Sequence, residues 1–589
     1  MALWPTKTLY DRIIDRHKEK DDDYSKVNRN REVISTYFRS DEIIKTDDAG
    51  NLVGEAIYNG AGSWYSRMMA TGFQGQLVSK NIPWVRYQMR EQELKGLDEL
   101  DIWLQEIKEY MADAYQRSNF YDVQPQFTHD GLTTGSPVIF GEEDVLGART
   151  MWLPQHYTTV RLYYDRYNHP EGVIVEDKQW TAKKIMDTFV KGDDEQGTKR
   201  KELLPVSVNV AIDGGRYNEV FTVYRATFKV SDPIWDGTGE NAFKKPSGGW
   251  QWLTAYFAAI TEADNVKKNR PLNSNMGDFT RPFATWNFDK KPWEPSSRTP
   301  AFYALWDNLS LQQIDKNYME DIQASNRPPI IALDSMGGRL QLGPEGEMLV
   351  TEAQYDRPPK AIDRLGNIQF SKDLLDMKDE SLRRWFYIDM LQMFSDLAMK
   401  KNQPPTATQI WQMAGEKATL LSPAIETHSR YLEITDARMI DIEVRAGRGP
   451  FAPDRMSEIT DIILSNISRP ISKVGVQPVF IGRLAQAQKA SQSLEPIQST
   501  MQAVAPLMEL FPEIRHMYRP YDLADDINEA LDFPQKNVRP RDEYEQMVQA
   551  EREAIAQQQQ AQMAIEAAKA AKGVSGPVDE TSVLAGATG

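Results

Sequence analysis

The chain has 589 residues, 41% of them hydrophobic and 26% charged, which is a globular composition too long for a single hydrophobic core. A formal net charge of −16 argues against a tight grip on phosphate backbones and by itself reads as solubility, while the absence of cysteine excludes disulfides, thiolate metal sites and a cysteine nucleophile. No apolar run reaches the roughly 18 residues of a spanning helix, and the charged N-terminus lacks the apolar stretch of a secretory signal.

Residues 1–50 read as helix followed by a charged turn at Asp47-Asp48-Ala49-Gly50, and residues 51–120 read as mainly helical between glycines. From Phe127 to about Phe228 the pattern turns to alternation. TTVRLYYDRY, EGVIVED, SVNVAI and EVFTVYRATFKV are bounded by turn clusters and are predicted strands, with WTAKKIMDTFVKG a helix among them. Residues 231–298 are irregular and rich in Pro, Gly and Trp.

Helix signals then sharpen. Thr299 before Pro300 is an N-cap with proline at the first helical position, and Ala304, Leu311, Ile314, Tyr318 and Ile322 follow at helical spacing. Asn326-Arg327-Pro328-Pro329 ends that helix. Short strands with glycine turns follow, and a second helix runs from Ser371 to about Ser395 through Leu374, Met377, Leu382, Trp385, Ile388 and Leu391. Each helix would span roughly 37 Å, so the pair forms a stalk with a β tip. After the polar loop Met399–Pro405, Thr406 caps a long helix in which Pro423 predicts a kink. Further helices cover 478–530 and 541–572, and the small-residue stretch 573–589 reads as disordered.

Several stretches, in order, resemble the head-to-tail connecting (portal) proteins of short-tailed bacteriophages. They are Trp64-Tyr65 through Pro83-Trp84, Thr134-Gly135-Ser136-Pro137-Val138-Ile139-Phe140, and Pro282-Phe283 with Trp286. Ser297-Arg298-Thr299-Pro300, Pro405-Thr406-Ala407-Thr408-Gln409-Ile410 with Glu416-Lys417, Leu484–Gln488 and the Gln-rich C-terminal helix continue the series. Two departures stand out: Gln409 replaces the usual acid, and Trp293-Glu294-Pro295-Ser296 replaces the Tyr-Gly before Arg298.

The resemblance implies an α+β portal fold: an N-terminal region and α/β wing at 1–298, a first stem helix at 299–325, a clip at 326–370 and a second stem helix at 371–395. A tunnel loop at 396–405, a kinked wing helix and return at 406–477, and a helical crown at 478–572 complete it. It further implies a virion protein assembled in the host cytoplasm, a homo-oligomer forming a twelve-fold ring at one capsid vertex. Double-stranded DNA would pass through that ring, with the terminase motor, tail adaptors, and the major capsid and scaffold proteins as partners and no membrane. In that frame Lys400, Lys401, Asn402 and Gln403 of the tunnel loop approach DNA, and Asp307, Asp315, Glu320 and Asp321 are candidates for an acidic channel wall that repels phosphate. Read alone, the same residues are a solvated loop and a solvated helix face.

No catalytic reading emerges. The six histidines, His17, His129, His156, His169, His428 and His516, show no metal-ligand spacing, and His129-Asp130 is the only His/Asp neighbour pair. Gly415-Glu416-Lys417 lacks the Gly-Lys-Ser/Thr order of a phosphate loop, so no nucleotide cofactor and no metal are expected. Most of the tryptophans fall in apolar periodic segments and are read as packing residues. The alternatives are another virion structural protein, such as a tail adaptor, or an acidic carbohydrate-active hydrolase using paired carboxylates.

Overall fold

The computed structural model describes residues 6–39, 57–190 and 201–326 apart from a few positions, then 368–389, 407–466, 476–480, 499–508, 517–530 and 541–574, with paired strand residues at 45–46, 52–53, 330–331 and 360–361. It mixes helix and sheet throughout, as an α+β chain should.

Helix α1 (Leu9–Glu19) starts where the Thr8 hydroxyl accepts the Asp11 amide, and α2 (Asp21–Phe38) follows after one residue. The short strands β1 (Lys45–Thr46) and β2 (Leu52–Val53) pair antiparallel, and α3 (Ala61–Leu77) leads into β3 (Val85–Met89). Next come α4 (Asp98–Arg117) and α5 (Phe120–Leu132).

The β-rich part begins with β4 (Val138–Asp144) and β5 (Arg149–Gln155), then β6 (Val160–Tyr164) and β7 (Pro170–Thr181). Beyond the helices α6 (Ala182–Ile185) and α7 (Val206–Asp213) lie β8 (Val220–Lys229), β9 (Trp252–Ala258), β10 (Gly277–Asp278) and β11 (Phe283–Thr285). They form a five-stranded antiparallel sheet, order β10-β9-β8-β7-β6, and a three-stranded sheet, order β11-β4-β5. Alternation in β7 decides the two faces. Ile174 joins Leu9, Tyr10 and Ile13 of α1 on one side, whereas Val173 and Val175 meet Val138, Phe140 and Phe283 of the smaller sheet on the other.

Segment 207–212 is a helix, not the predicted strand. Pro205 precedes it, and Val208, Ala211 and Ile212 turn to one buried face at helical spacing, packed on Ile185 and Phe189. Six apolar-rich residues satisfy either period, and here packing against α6 and the π-helical turn Met186–Val190 chooses.

The largest core joins α2 to α5 with three later helices: α8 (Pro300–Asn326), α9 (Ile368–Trp385) and α10 (Ala407–Ala446). Beyond α8 and before α9, β12 (Ile330–Ile331) pairs antiparallel with β13 (Lys360–Ala361), so the chain leaves and re-enters the helix pair side by side. The rest of the predicted clip lies outside the described residues. α9 begins slightly earlier than its spacing predicts and breaks sooner, at Phe386-Tyr387, where Tyr387 takes φ +53° while Phe386 and Ile388 stay buried. α11 (Pro453–Asn466) returns to the core, and β14 (Val476–Phe480) pairs in full register with β3. Two further helices, α12 (Pro520–Ala530) and α13 (Arg541–Val574), close the described chain.

Candidate functional site

The helix pair α8/α9 is the place to look for function, and its root is built from two of the motifs quoted above. The Thr299 hydroxyl accepts the Phe302 amide at 3.1 Å and donates to the Thr133 carbonyl at 2.8 Å, so the predicted cap also ties the helix to the end of α5. Ser297 N donates to Ser136 Oγ at 2.9 Å, and Ser136 N donates to Ser297 Oγ at 3.0 Å. Gly135 sits at φ +77°, and a Cβ there would lie 2.5 Å from the Ser297 carbonyl oxygen, so glycine is required on both counts. The buried Arg31 guanidinium finishes the joint with donations to the Thr134 and Gly135 carbonyls and to Ser296 Oγ at 2.8, 2.9 and 2.6 Å.

The four candidate wall acids do not share one face. At about 100° per residue, Asp315, Glu320 and Asp321 fall roughly 80°, 220° and 320° around α8 from Asp307. Asp307 faces α9: it accepts from Lys378 Nζ at 2.8 Å, Ser381 Oγ at 2.8 Å and Trp385 Nε1 at 3.1 Å. Burial opposes its ionisation, but the bonds from Lys378, Ser381 and Trp385 outweigh that and hold its pKa below the usual carboxylate value. Tyr303 stacks on Trp385 with ring centroids 5.7 Å apart, and the Tyr65 hydroxyl donates to Asp379 at 2.8 Å, clasping α9 to α8 and to α3. Asp315 is partly exposed and Glu320 exposed, and neither is bonded to another of the described residues. Asp321 is partly buried and does have a partner. Lys400, Lys401, Asn402 and Gln403 lie outside the described residues.

The family profile of the bacteriophage head to tail connecting protein matches residues 11–538, nearly the whole described chain. This chain belongs to that family. Among its relatives, the portal protein of Salmonella phage epsilon15 is 22% identical over 504 residues, covering 82% of each chain. A protein of Bordetella phage BPP-1 named "Probable portal protein" is also 22% identical, over 461 residues, covering 76% of this chain and 74% of its own.

In this connecting protein the long helix α10 carries polar groups whose burial the sequence pattern did not reveal. Leu421, Ile425, His428, Leu432, Asp436, Met439 and Glu443 are all buried, three or four residues apart, so polar groups ride on the apolar stripe. Asp436 Oδ1 accepts from Tyr87 at 2.8 Å and Tyr115 at 3.0 Å, while its Oδ2 is buried without a partner among the described residues. Burial raises the carboxyl to about 7 against the two tyrosine bonds. His428, walled in by Trp286, Tyr431 and Phe73, is pushed by burial down to about 3 and stays neutral. Arg438 keys the helix to both sheets, donating to the Gly141 carbonyl at 2.9 Å and pairing with Asp278 at 2.8 Å. An acid or histidine standing in register with the apolar stripe of a helix is the signal that could have found these groups.

The remaining candidates resolve into packing or surface. His129 Nε2 lies 3.0 Å from Ser66 Oγ, but both residues are buried, and the neighbouring Asp130 pairs with Arg39. Trp84, Trp252 and Trp286 are core residues, whereas Trp64 and Trp385 are exposed. Among the described residues no group of three or more potential ligands could hold a metal ion, and no helix is long and apolar enough to cross a membrane.

Proposed function

We propose that this chain is a portal subunit of a phage virion, one of the copies that form a closed ring at a single capsid vertex. DNA enters through the ring during packaging and leaves through it at ejection. The observation that carries this reading is the family match over residues 11–538, coinciding with a helix pair that leaves and returns through the β12–β13 ladder. The names of the two phage relatives support the same assignment.

In this reading α8 and α9 form the stem, the segment between them the clip, and α12 and α13 belong to the crown. The loop with Lys400, Lys401, Asn402 and Gln403 reaches toward DNA. Asp315, Glu320 and Asp321 supply the acidity of the wall, because Asp307 is already neutralised by Lys378. A twelve-fold homo-oligomer, a terminase motor, tail adaptors, and major capsid and scaffold proteins complete the assembly. The protein positions and passes DNA and catalyses no step itself.

Native mass spectrometry with negative-stain imaging of the purified chain tests this. A closed ring is the expected result. A monomer that persists at high concentration, and with capsid and scaffold proteins added, would overturn it.

A further inference from the structure

A costly exposed residue stands just before the stem. Lys291-Pro292-Trp293-Glu294 is a type II turn: the Glu294 amide donates to the Lys291 carbonyl at 3.4 Å, proline takes the second position, and Trp293 takes the third at φ +72°. That position ordinarily takes glycine. Here it holds a tryptophan that is 99% exposed. An indole in a left-handed backbone with nothing around it is unfavourable twice over, and such outliers persist where function uses them.

The turn is also held still. Arg298 Nε and Nη2 both donate to Glu294 Oε1, at 3.0 and 2.6 Å, and Lys290 Nζ donates to the Glu294 carbonyl. Asp289 and Arg298 exchange both main-chain bonds beneath it, at 3.2 and 2.8 Å. Trp293 is therefore presented on a rigid support, a preorganised aromatic anchor of the kind that dominates protein interfaces.

A matching socket lies elsewhere on the same chain. Between the β10–β11 segment and α10 runs an open, mainly apolar groove of about 530 Å³, lined among others by Phe279, Arg281, Glu433, Ile434 and Ala437. Phe279 is 40% exposed, whereas Arg281 is half-buried, its Nη2 enclosed and its Nε donating to the Phe283 carbonyl at 2.9 Å. The groove offers an indole an exposed aromatic neighbour in Phe279. Charge agrees as well. Lys291 beside the anchor and Glu433 in the groove are both exposed and neither is in an ion pair among the described residues.

We infer that Trp293 of one copy seats in the Phe279–Ala437 groove of a second copy of this chain, with Lys291 facing Glu433. Trp293 is not in its own groove, so knob and socket on one chain make a head-to-tail contact, the type that closes into a ring when its rotation closes. This rests on the ring reading proposed above and names the surface that would build it.

The absence of cysteine supplies the test. The full chain carrying Trp293→Cys and Ala437→Cys, oxidised mildly and run without reductant, should give a ladder of covalent multimers that collapses on reduction. Either substitution alone should give no ladder beyond a dimer. If native mass spectrometry shows rings but the double variant gives no ladder, the anchor inference fails and the ring reading stands. If the unsubstituted chain forms no rings, both fail. Trp293→Gly separates contact from folding, because it relieves the turn. Its melting temperature as a monomer should not fall, while the subunit concentration needed for rings should rise at least about tenfold. Unchanged assembly, or a ladder that requires an added tail or capsid protein, overturns the inference. Lys291→Glu should weaken the ring, and adding Glu433→Lys should restore it.

Discussion

Asp436 shows what a single buried group does to a chain of this size. Both tyrosine hydroxyls converge on one of its oxygens, and the other faces the interior without a donor among the described residues. Burial therefore prevails over the two bonds, and the folded carboxyl titrates at about 7. The sign of the pH effect follows. Below about pH 4 the folded and unfolded chains both hold the proton, and the group adds no pH dependence. Between there and about 7 the unfolded chain gives up its proton first, so stability falls as pH rises and levels off above the folded value. Asp436→Asn keeps an oxygen for the two hydroxyls and removes the charge. Urea unfolding at fixed subunit concentration should find the variant more stable at pH 8 by roughly 1–3 kcal/mol and little changed at pH 4. A variant that gains nothing at pH 8 would show that the carboxylate is compensated in the folded chain. Thr299→Ala belongs to the same scale. It leaves the Phe302 amide and the Thr133 carbonyl without their partner, and should cost about 1 kcal/mol, read as a lower urea midpoint.

Elements are held to one another by groups far apart in the chain, which decides how much of them can be read in advance. The start of α8 was legible, because Thr299 and Pro300 are adjacent and their chemistry is local. The body of α10 was legible too, since its apolar residues recur at helical spacing over many turns. Segment 207–212 was not, because six residues are too few to separate the two periods. Nor was the role of Asp307 legible. Its partner Lys378 lies 71 positions away, and no local pattern announces that α9 lies against that side of α8. The break at Tyr387 was hidden for a related reason: the apolar spacing continues through Phe386 and Ile388 while the backbone turns between them. The clasp makes its own prediction. A double-mutant cycle of Asp307→Ala and Lys378→Ala should return a coupling of about 1 kcal/mol at neutral pH. Because the folded carboxyl is held below its usual value, that coupling should be complete above the ordinary carboxylate range and fade as pH falls through the lowered one. A coupling that is absent at neutral pH would mean that Ser381 and Trp385 alone hold the helices together.

At the scale of the whole molecule, charge is distributed so that α8 is acidic and α9 is not. α8 carries Asp307, Asp315, Glu320 and Asp321 against Lys316, a net of −3, whereas the four acids of α9 balance its four bases. Pairing of Asp307 with Lys378 moves part of that charge into the helix–helix contact, leaving the outer turns of α8 to act on a polyanion nearby. Repulsion of this kind reaches only about 8 Å at physiological salt, so in the proposed portal it would keep DNA from sticking to the wall without holding it at a distance. A conduit that only repelled DNA would not retain it against the pressure of a filled capsid, and the cationic counterpart in the proposed portal is the pair Lys400 and Lys401. In the proposed ring, symmetry would repeat the pair in every subunit, so weak contacts would add around the bore. Lys400→Ala with Lys401→Ala should leave ring and capsid assembly unchanged while lowering the DNA kept per particle, a deficit that is largest at low salt and narrows as rising salt screens the lysine contacts of the unsubstituted chain. Particles can be counted by electron microscopy and their DNA weighed after nuclease treatment. Full DNA content in particles built from the doubly substituted chain would remove the lysines from the retention mechanism and return them to an ordinary solvated loop.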